Sequence, residues 1–374
     1  MITYFSEGEI VWTIKMSENK LKTAILGLND GGKLLLEAAL ATGLFEIEAV
    51  ADKDMKLVEK IANELKCEAY DDFRQLISST DARLNHDNRV LLVAAETHIC
   101  DEYIKMAIKK KFNCLKLPPM ARSFDEAAEF VRLSDEEGVI FSIANTGRYA
   151  KGFKALREYI VQNKLEQVFL VTVFSTFTEP PADTWHTDPK LSGGGVLLHN
   201  CYKIIDQIVF NFGLPQQMYS LNTNQAKDRQ QRLYLTEDTA VVTLKFSDTL
   251  VGNIITSRRS GIGPQQEYLR FFDTDKILTV NDKQLNIRDG GGEVTVHEEF
   301  NDTELERMTL LLTDFAKSIL SPEENKPIST GRENLNNMAV IESAYLSART
   351  GFPEEPARII KMPSAVPGIQ MGFD

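Results

Sequence analysis

Short apolar runs alternate with amphipathic ones through the first third of the chain. Thr23–Leu26, Ile47–Ala51, Val90–Ala94, Asn113–Leu117 and Val139–Ala144 are brief and mostly apolar, as strands buried on both faces are. Between them, Gly31–Ala41, Lys56–Leu65, Asp71–Ile77, Asp101–Lys109 and Phe124–Glu136 read as helices. This alternation predicts a mostly parallel sheet covered on both faces. Such a sheet places a ligand at the carboxyl ends of its strands, where Gly27 and Asp52 fall.

After Asn145 the pattern changes. A helix over Phe153–Gln162 leads into a long alternating strand, Gln167–Phe177, and a second helix, Val196–Phe212. Strand-like runs follow at Gln217–Leu221, Thr239–Phe246, Thr249–Thr256, Glu267–Phe272 and Lys276–Val280. Turn residues such as Ser247-Asp248 and Asp273–Asp275 separate some of them, which indicates an antiparallel sheet. Helices at Thr303–Ile319 and Glu333–Ser347 precede a tail that is expected to lie extended on the surface.

At 374 residues there is room for two cores. The net charge of −12 argues against a nucleic-acid or anionic-membrane surface, which would need clustered Lys and Arg. Lys109-Lys110-Lys111 is the one basic run, and it reads as a solvated helix end. Cys67, Cys100, Cys114 and Cys201 are widely spaced and form no CxxC pair, so buried thiols are expected and no metal site is. No apolar stretch is long enough to span a membrane, and the mixed first twenty residues do not read as a signal peptide. A cytoplasmic location is the default expectation.

The first strand ends in Gly27-x-Asn29-x-x-Gly32, and Asp52 closes the next strand. A strand, a Gly-rich turn, a helix and an acid about twenty positions on are the parts of a dinucleotide site. Asn29 stands where a second glycine belongs. Its side chain would crowd a pyrophosphate, although Asn is the least costly replacement where a left-handed backbone is needed. Asp52 is placed to bond an adenosine ribose and to favour NAD over NADP by repelling a 2′-phosphate. It could equally cap the following helix, and Lys53 beside it leaves NADP open.

Several strings, in order, resemble the Gfo/Idh/MocA superfamily (the glucose-fructose oxidoreductase and inositol dehydrogenase group). They are Ala49-Val-Ala-Asp52, Pro119-Met-Ala121, Asn145-Thr-Gly-Arg148-Tyr149, Trp185-His-Thr-Asp188-Pro189, Gly193-Gly-Gly195-Val-Leu-Leu, Asp206 and Glu342-Ser-Ala-Tyr345 through Gly351. The resemblance implies an α/β protein with an N-terminal Rossmann domain, residues 21–145. A C-terminal α/β domain on a large, mostly antiparallel sheet follows over residues 146–351, flanked by an arm (1–20) and a tail (352–374). It also implies a homodimer or homotetramer assembled through that sheet.

The family's catalytic positions hold other residues here. Pro118 stands where the family has the lysine of Glu-Lys-Pro, and His199 and Lys203 replace its Asp and His. Lys116, two residues earlier on the same strand face, reaches partly into the site or is solvated. His199 and Lys203, four apart on a predicted helix, would face the same way and depress each other's pKa. Either could exchange a proton with a substrate hydroxyl, or the site could be dead. Arg148, Tyr149, Trp185 and His186 match a region that lines family substrate sites. Arg148 clamps an anion or forms a structural ion pair, and Trp185 stacks on a sugar or packs in the core. Three cations in one site would favour an anionic sugar derivative. The leading expectation is an NAD(P)-dependent oxidoreductase on a sugar, polyol or sugar acid with an altered proton-transfer set. Two alternatives are a non-catalytic nucleotide- or sugar-binding sensor, and elimination or hydrolysis through a transient oxidation.

Overall fold

The computed structural model describes residues 20–83, 88–162, 164–165, 167–177, 184–225, 235–259 and 265–361. The expected arm (apart from Lys20) and the tail from 362 lie outside these residues. Strands β1 (Leu21–Leu26), β2 (Phe45–Ala51), β3 (Glu68–Tyr70), β4 (Arg89–Val93), β5 (Asn113–Lys116) and β6 (Phe141–Ile143) form a wholly parallel sheet. Its order is β3-β2-β1-β4-β5-β6, so the chain reverses direction across the sheet between β1 and β4. Helices α1 (Asp30–Thr42), α2 (Met55–Leu65), α3 (Phe73–Arg83), α4 (Thr97–Lys109) and α5 (Phe124–Glu137) connect the strands. Every residue of β4 is buried, Arg89 included, which is why Val90–Val93 reads as an unbroken apolar run.

The second sheet has eight strands: β7 (Leu170–Thr176), β8 (Gln217–Thr223), β9 (Thr239–Lys245), β10 (Val251–Ser257), β11 (Gln266–Phe272), β12 (Lys276–Val280), β13 (Gln284–Asp289) and β14 (Val294–Glu299). They run in the order β14-β13-β12-β11-β7-β10-β9-β8, antiparallel except for the β7/β10 pair. Burial alternates along β7, with Val171, Val173 and Ser175 inward and their neighbours on the open face. Helix α6 (Lys151–Val161) packs on β12 and β13, and α11 (Gly331–Thr350) packs on β8.

Three expectations are corrected. β13 and β14 were not anticipated, because they bury few residues and so carry little apolar signal. The predicted helix Val196–Phe212 is two helices, α8 (Val196–His199) and α9 (Tyr202–Phe212), interrupted at Asn200-Cys201. The tail is not wholly extended: α12 (Pro356–Lys361) buries Pro356 and Ile359, and Glu354 pairs with Met218 of β8.

Helix α10 (Glu304–Leu320), opened by a Thr303/Glu306 capping box, returns to the first sheet. Its Met308, Leu311, Leu312 and Phe315 share a core with Leu35, Leu36 and Ala39 of α1. The helix that starts at the glycine turn is therefore held from both sides.

Candidate active site

A groove runs along the carboxyl ends of the parallel strands, where the chain order reverses. One compartment, about 300 Å³, is lined by Gly27, Asn29, Lys33, Asp52 and Lys53. The next, about 390 Å³, is lined by Asn29, Asp30, Gly31, Lys116, Pro118, Trp185 and His199, among others. Both compartments are bordered by Asn29, Ala95 and Glu96, which makes them one continuous site.

The turn is built so that side chains are excluded. Gly27 has φ +92°, and a Cβ there would lie 2.5 Å from the Ala95 nitrogen. A Cβ on Gly32 would lie 2.0 Å from the Gly27 carbonyl oxygen, so α1 can approach β1 only with glycine. Asn29 corrects two expectations: its φ is −59°, not left-handed, and its side chain is tied into the fold. Asn29 Oδ1 accepts from the Gly32 N–H (2.9 Å), and its Nδ2 donates to the Ala94 carbonyl (2.8 Å). It caps α1 and joins the turn to the end of β4. Among the described residues, the N–H groups of Asn29, Asp30 and Gly31 make no hydrogen bond. Free N–H groups at the start of a 13-residue helix are suited to an anionic diphosphate. Asp52 accepts from the Leu28 N–H (2.6 Å) and the Asp54 N–H (3.0 Å) at the edge of the first compartment. Asp54, not Asp52, caps α2.

The sequence-predicted catalytic residues separate into two groups. Lys116 and His199 meet in the second compartment, with Trp185. Lys116 is not solvated: it is 2% exposed, and its Nζ donates to the carbonyls of Leu117 and Pro119. Burial holds its pKa below the ordinary lysine value. His199 is partly buried. Its Nε2 lies 3.0 Å from the Ser192 carbonyl, which makes Nε2 the donor and leaves Nδ1 as an acceptor. Burial and the neighbouring His186 push its pKa down to about 3. Trp185 stacks on His186 (3.5 Å between centroids), and His98 of α4 lies over Trp185 at 4.9 Å. This aromatic stack links the two sheets' domains across the groove.

Lys203 does not join them. The break at Asn200-Cys201 redirects α9, and Lys203 Nζ pairs with Glu267 of β11 at 2.6 Å. The mutual depression expected of His199 and Lys203 is overturned: burial opposes the Lys203 charge, but Glu267 outweighs it and raises the pKa. Arg148 lies outside the groove, bonded to Asp206 through Nε (2.9 Å) and Nη2 (2.7 Å) and to Glu333 (2.7 Å). Tyr149 also lies outside it, with its hydroxyl donated to Asp314 (2.9 Å). The reasons for expecting an anionic substrate are thus removed, because each of the three cations is paired or neutral. Sequence reading missed His98 and Glu267. The predicted start of the fourth helix at Asp101 hid His98, which sits in the first turn of α4 at a strand's carboxyl end.

The neutral His199 has a measurable consequence. Its folded pKa lies below the unfolded value, so the unfolded chain binds the extra proton first as pH falls. Stability should therefore decline between about pH 6.5 and pH 3, by about 1.4 kcal/mol per pH unit from this group. Urea unfolding of wild type and His199→Asn at pH 7.5 and pH 5.5 checks this. Equal pH slopes for the two proteins would contradict the burial of a neutral imidazole.

A parallel sheet with a glycine turn, free helix amides and an acid at the second strand end defines a dinucleotide-binding protein. The chain belongs to the Gfo/Idh/MocA oxidoreductase family. The model of the family's NAD-binding Rossmann fold matches residues 21–145, and that of its C-terminal alpha/beta domain matches residues 157–272. The D-xylose 1-dehydrogenase (NADP(+)) 2 of Haloferax volcanii is 25% identical over 349 residues, 88% of this chain and 98% of that protein. The 2,7-anhydro-N-acetylneuraminate hydratase of Mediterraneibacter gnavus is 26% identical over 203 residues, 53% of this chain and 52% of that one. A levoglucosan dehydrogenase structure, in complex with NADH and levoglucosan, shares the fold at a TM-score of 0.80 and 14% identity. That match covers 90% of this chain and 99% of the other.

Proposed function

We propose that the protein is an NAD(P)-dependent oxidoreductase that interconverts an uncharged sugar or polyol and its carbonyl form. The observation that carries this reading is the second compartment, where the free amides of the glycine turn face the same space as Lys116, His199 and Trp185. The D-xylose dehydrogenase relative acts on an uncharged sugar, which agrees with a site whose cations are neutralised.

The residues fit a dinucleotide: Gly27 and Gly32 leave backbone approach open, and the N–H groups at the start of α1 would hold the diphosphate. Asp52 borders the compartment that would take the adenosine ribose, where its charge would favour NAD over NADP. When bound, the nicotinamide supplies the hydride acceptor or donor. Lys116 exchanges the hydroxyl proton. Its lowered pKa brings it toward the working range, and the two carbonyls on its Nζ fix its position. His199 orients the hydroxyl by accepting a hydrogen bond at Nδ1, and Trp185 offers a face for the sugar ring. Lys116 thereby takes the part of the lysine that Pro118 displaces.

Lys116→Met should lower kcat by about 10²–10⁴-fold while leaving NADH affinity within a few-fold. Steady-state rates with uncharged aldoses and polyols check it. A variant with unchanged turnover would remove Lys116 from the reaction. No turnover by the wild-type protein, with NADH still bound, would favour the sensor reading, for which Pro118 at the lysine position is the supporting observation.

The open face of the second sheet exposes Leu221, Val241, Val251 and Ile255, which supports assembly of two or four copies through it. Free cysteines, three of them buried, suit a reducing cytoplasm. Among the described residues no helix is long and apolar enough to cross a membrane.

A further inference from the structure

The triple glycine Gly193-Gly194-Gly195 carries no reacting group, yet each of its residues is met by a different element. Gly193 has φ +79°, and a Cβ there would lie 2.2 Å from the carbonyl oxygen of Arg122, just ahead of α5. A Cβ on Gly194 would lie 2.0 Å from the Tyr345 oxygen of α11. One on Gly195 would lie 1.9 Å from the carbonyl oxygen of Glu237, just ahead of β9. The three glycines let these neighbours close on the segment that joins α7 (Pro189–Ser192) to α8.

Glu237 is the neighbour on which α8 depends. That helix is one turn of four residues with Gly195 at its N-cap, so it has no capping side chain of its own. Glu237 satisfies three successive amides instead. Its Oε2 accepts from the Gly195 N–H (2.7 Å), its backbone carbonyl from the Val196 N–H (3.0 Å) and its Oε1 from the Leu197 N–H (2.9 Å). A single turn does not hold itself, because ordering its residues costs more than its first hydrogen bond contributes. Glu237 therefore sets where α8 sits. The carboxylate is itself fixed: it is buried, and its Oε1 also accepts from the Tyr345 hydroxyl (2.9 Å). At the far end of the turn, the His199 N–H donates to the Gly195 carbonyl (2.9 Å), and its ring rests on the Ser192 carbonyl. Both contacts of His199 thus fall on the segment that Glu237 and Tyr345 clamp.

We propose that Glu237 is a positioning residue for the groove: through α8 it holds the His199 ring on the Ser192 carbonyl, leaving Nδ1 to accept from a sugar hydroxyl. Only the use of Nδ1 by a sugar rests on the dehydrogenase reading; the anchoring of His199 does not. Glu237→Gln tests it in the full-length protein. The substitution keeps the shape of the side chain but turns an N–H group toward one of the two amides that the carboxylate bonds. Long-range proton–nitrogen correlations of the histidine rings report tautomer and hydrogen bonding, with the His199 signals assigned by their loss in His199→Asn.

The expected result is a shift of the His199 ring signals in Glu237→Gln, while those of His297 on β14 keep their place. With sugar as substrate, kcat/KM should fall about 10–100-fold with a raised KM and an unchanged NADH dissociation constant. A mere loss of folded protein would lower kcat alone. On the His199→Asn background the same substitution should have little further effect, because both act through one ring. Tyr345→Phe, which removes one donor to the carboxylate and leaves the α8 amides bonded, should move the same signals by less and serves if Glu237→Gln does not fold. Unmoved His199 signals, an unchanged KM, or a fully additive loss on the His199→Asn background would overturn the proposal. Wild-type protein that turns over no sugar would count against the dehydrogenase reading, while the His199 signals would still judge the anchoring.

Discussion

Arg148→Ala should destabilise the protein by about 3–5 kcal/mol, the largest stability loss expected of any residue considered for the site. The side chains of Arg148 and Asp206 are 4% and 1% exposed, and they meet through two parallel hydrogen bonds. Asp206 also accepts from Asn337, whose Nδ2 lies 2.9 Å away, so the aspartate is fixed where it is. Removing the guanidinium leaves a buried carboxylate with its charge uncompensated, while Glu333 at the other end of the pair is half exposed and can be hydrated. Urea denaturation of the variant measures this directly. A substrate clamp would behave oppositely, with a raised KM and unaltered unfolding.

Gly27→Ala should abolish cofactor binding, raising the NADH dissociation constant by about a hundredfold or more, which corresponds to ~2.7 kcal/mol. The backbone there adopts φ +92°, and the added carbon would press on the main chain of Ala95 at the end of β4. Neither the strand end nor the turn can shift without moving Asn29, which bonds both of them. The strain of a left-handed alanine adds about 1–3 kcal/mol of instability to the loss of binding. Fluorescence titration together with thermal unfolding separates the two effects.

The parallel half of the molecule was legible because its strands are buried on both faces and its helices are amphipathic; β4, with all residues buried, is the clearest example. The lightly buried hairpin β13–β14 was not legible, because exposed strands leave no hydrophobic period to read. At the site, the glycine turn and the family resemblance together singled out Gly27, Asn29, Asp52, Lys116, Trp185 and His199, which line one groove. They misplaced Arg148, Tyr149 and Lys203, whose roles depend on partners remote in sequence: Asp206 and Glu333, Asp314, and Glu267. A helical spacing of four put His199 and Lys203 on one face only for as long as the helix stayed continuous. Local pattern cannot report which distant carboxylate will neutralise a cation. For the same reason the sequence suggested an anionic substrate and the folded site suggests an uncharged one.

The glycine turn, despite Asn29, is proposed here as a working nucleotide site. It is tested most directly by titrating the wild-type protein with NADH and NADPH while following nicotinamide fluorescence. The account predicts saturable binding of NADH, weaker binding of NADPH because of Asp52, and no saturable signal with Gly27→Ala. Absence of binding to either nucleotide by well-folded wild-type protein would contradict it, and the groove would then need another ligand.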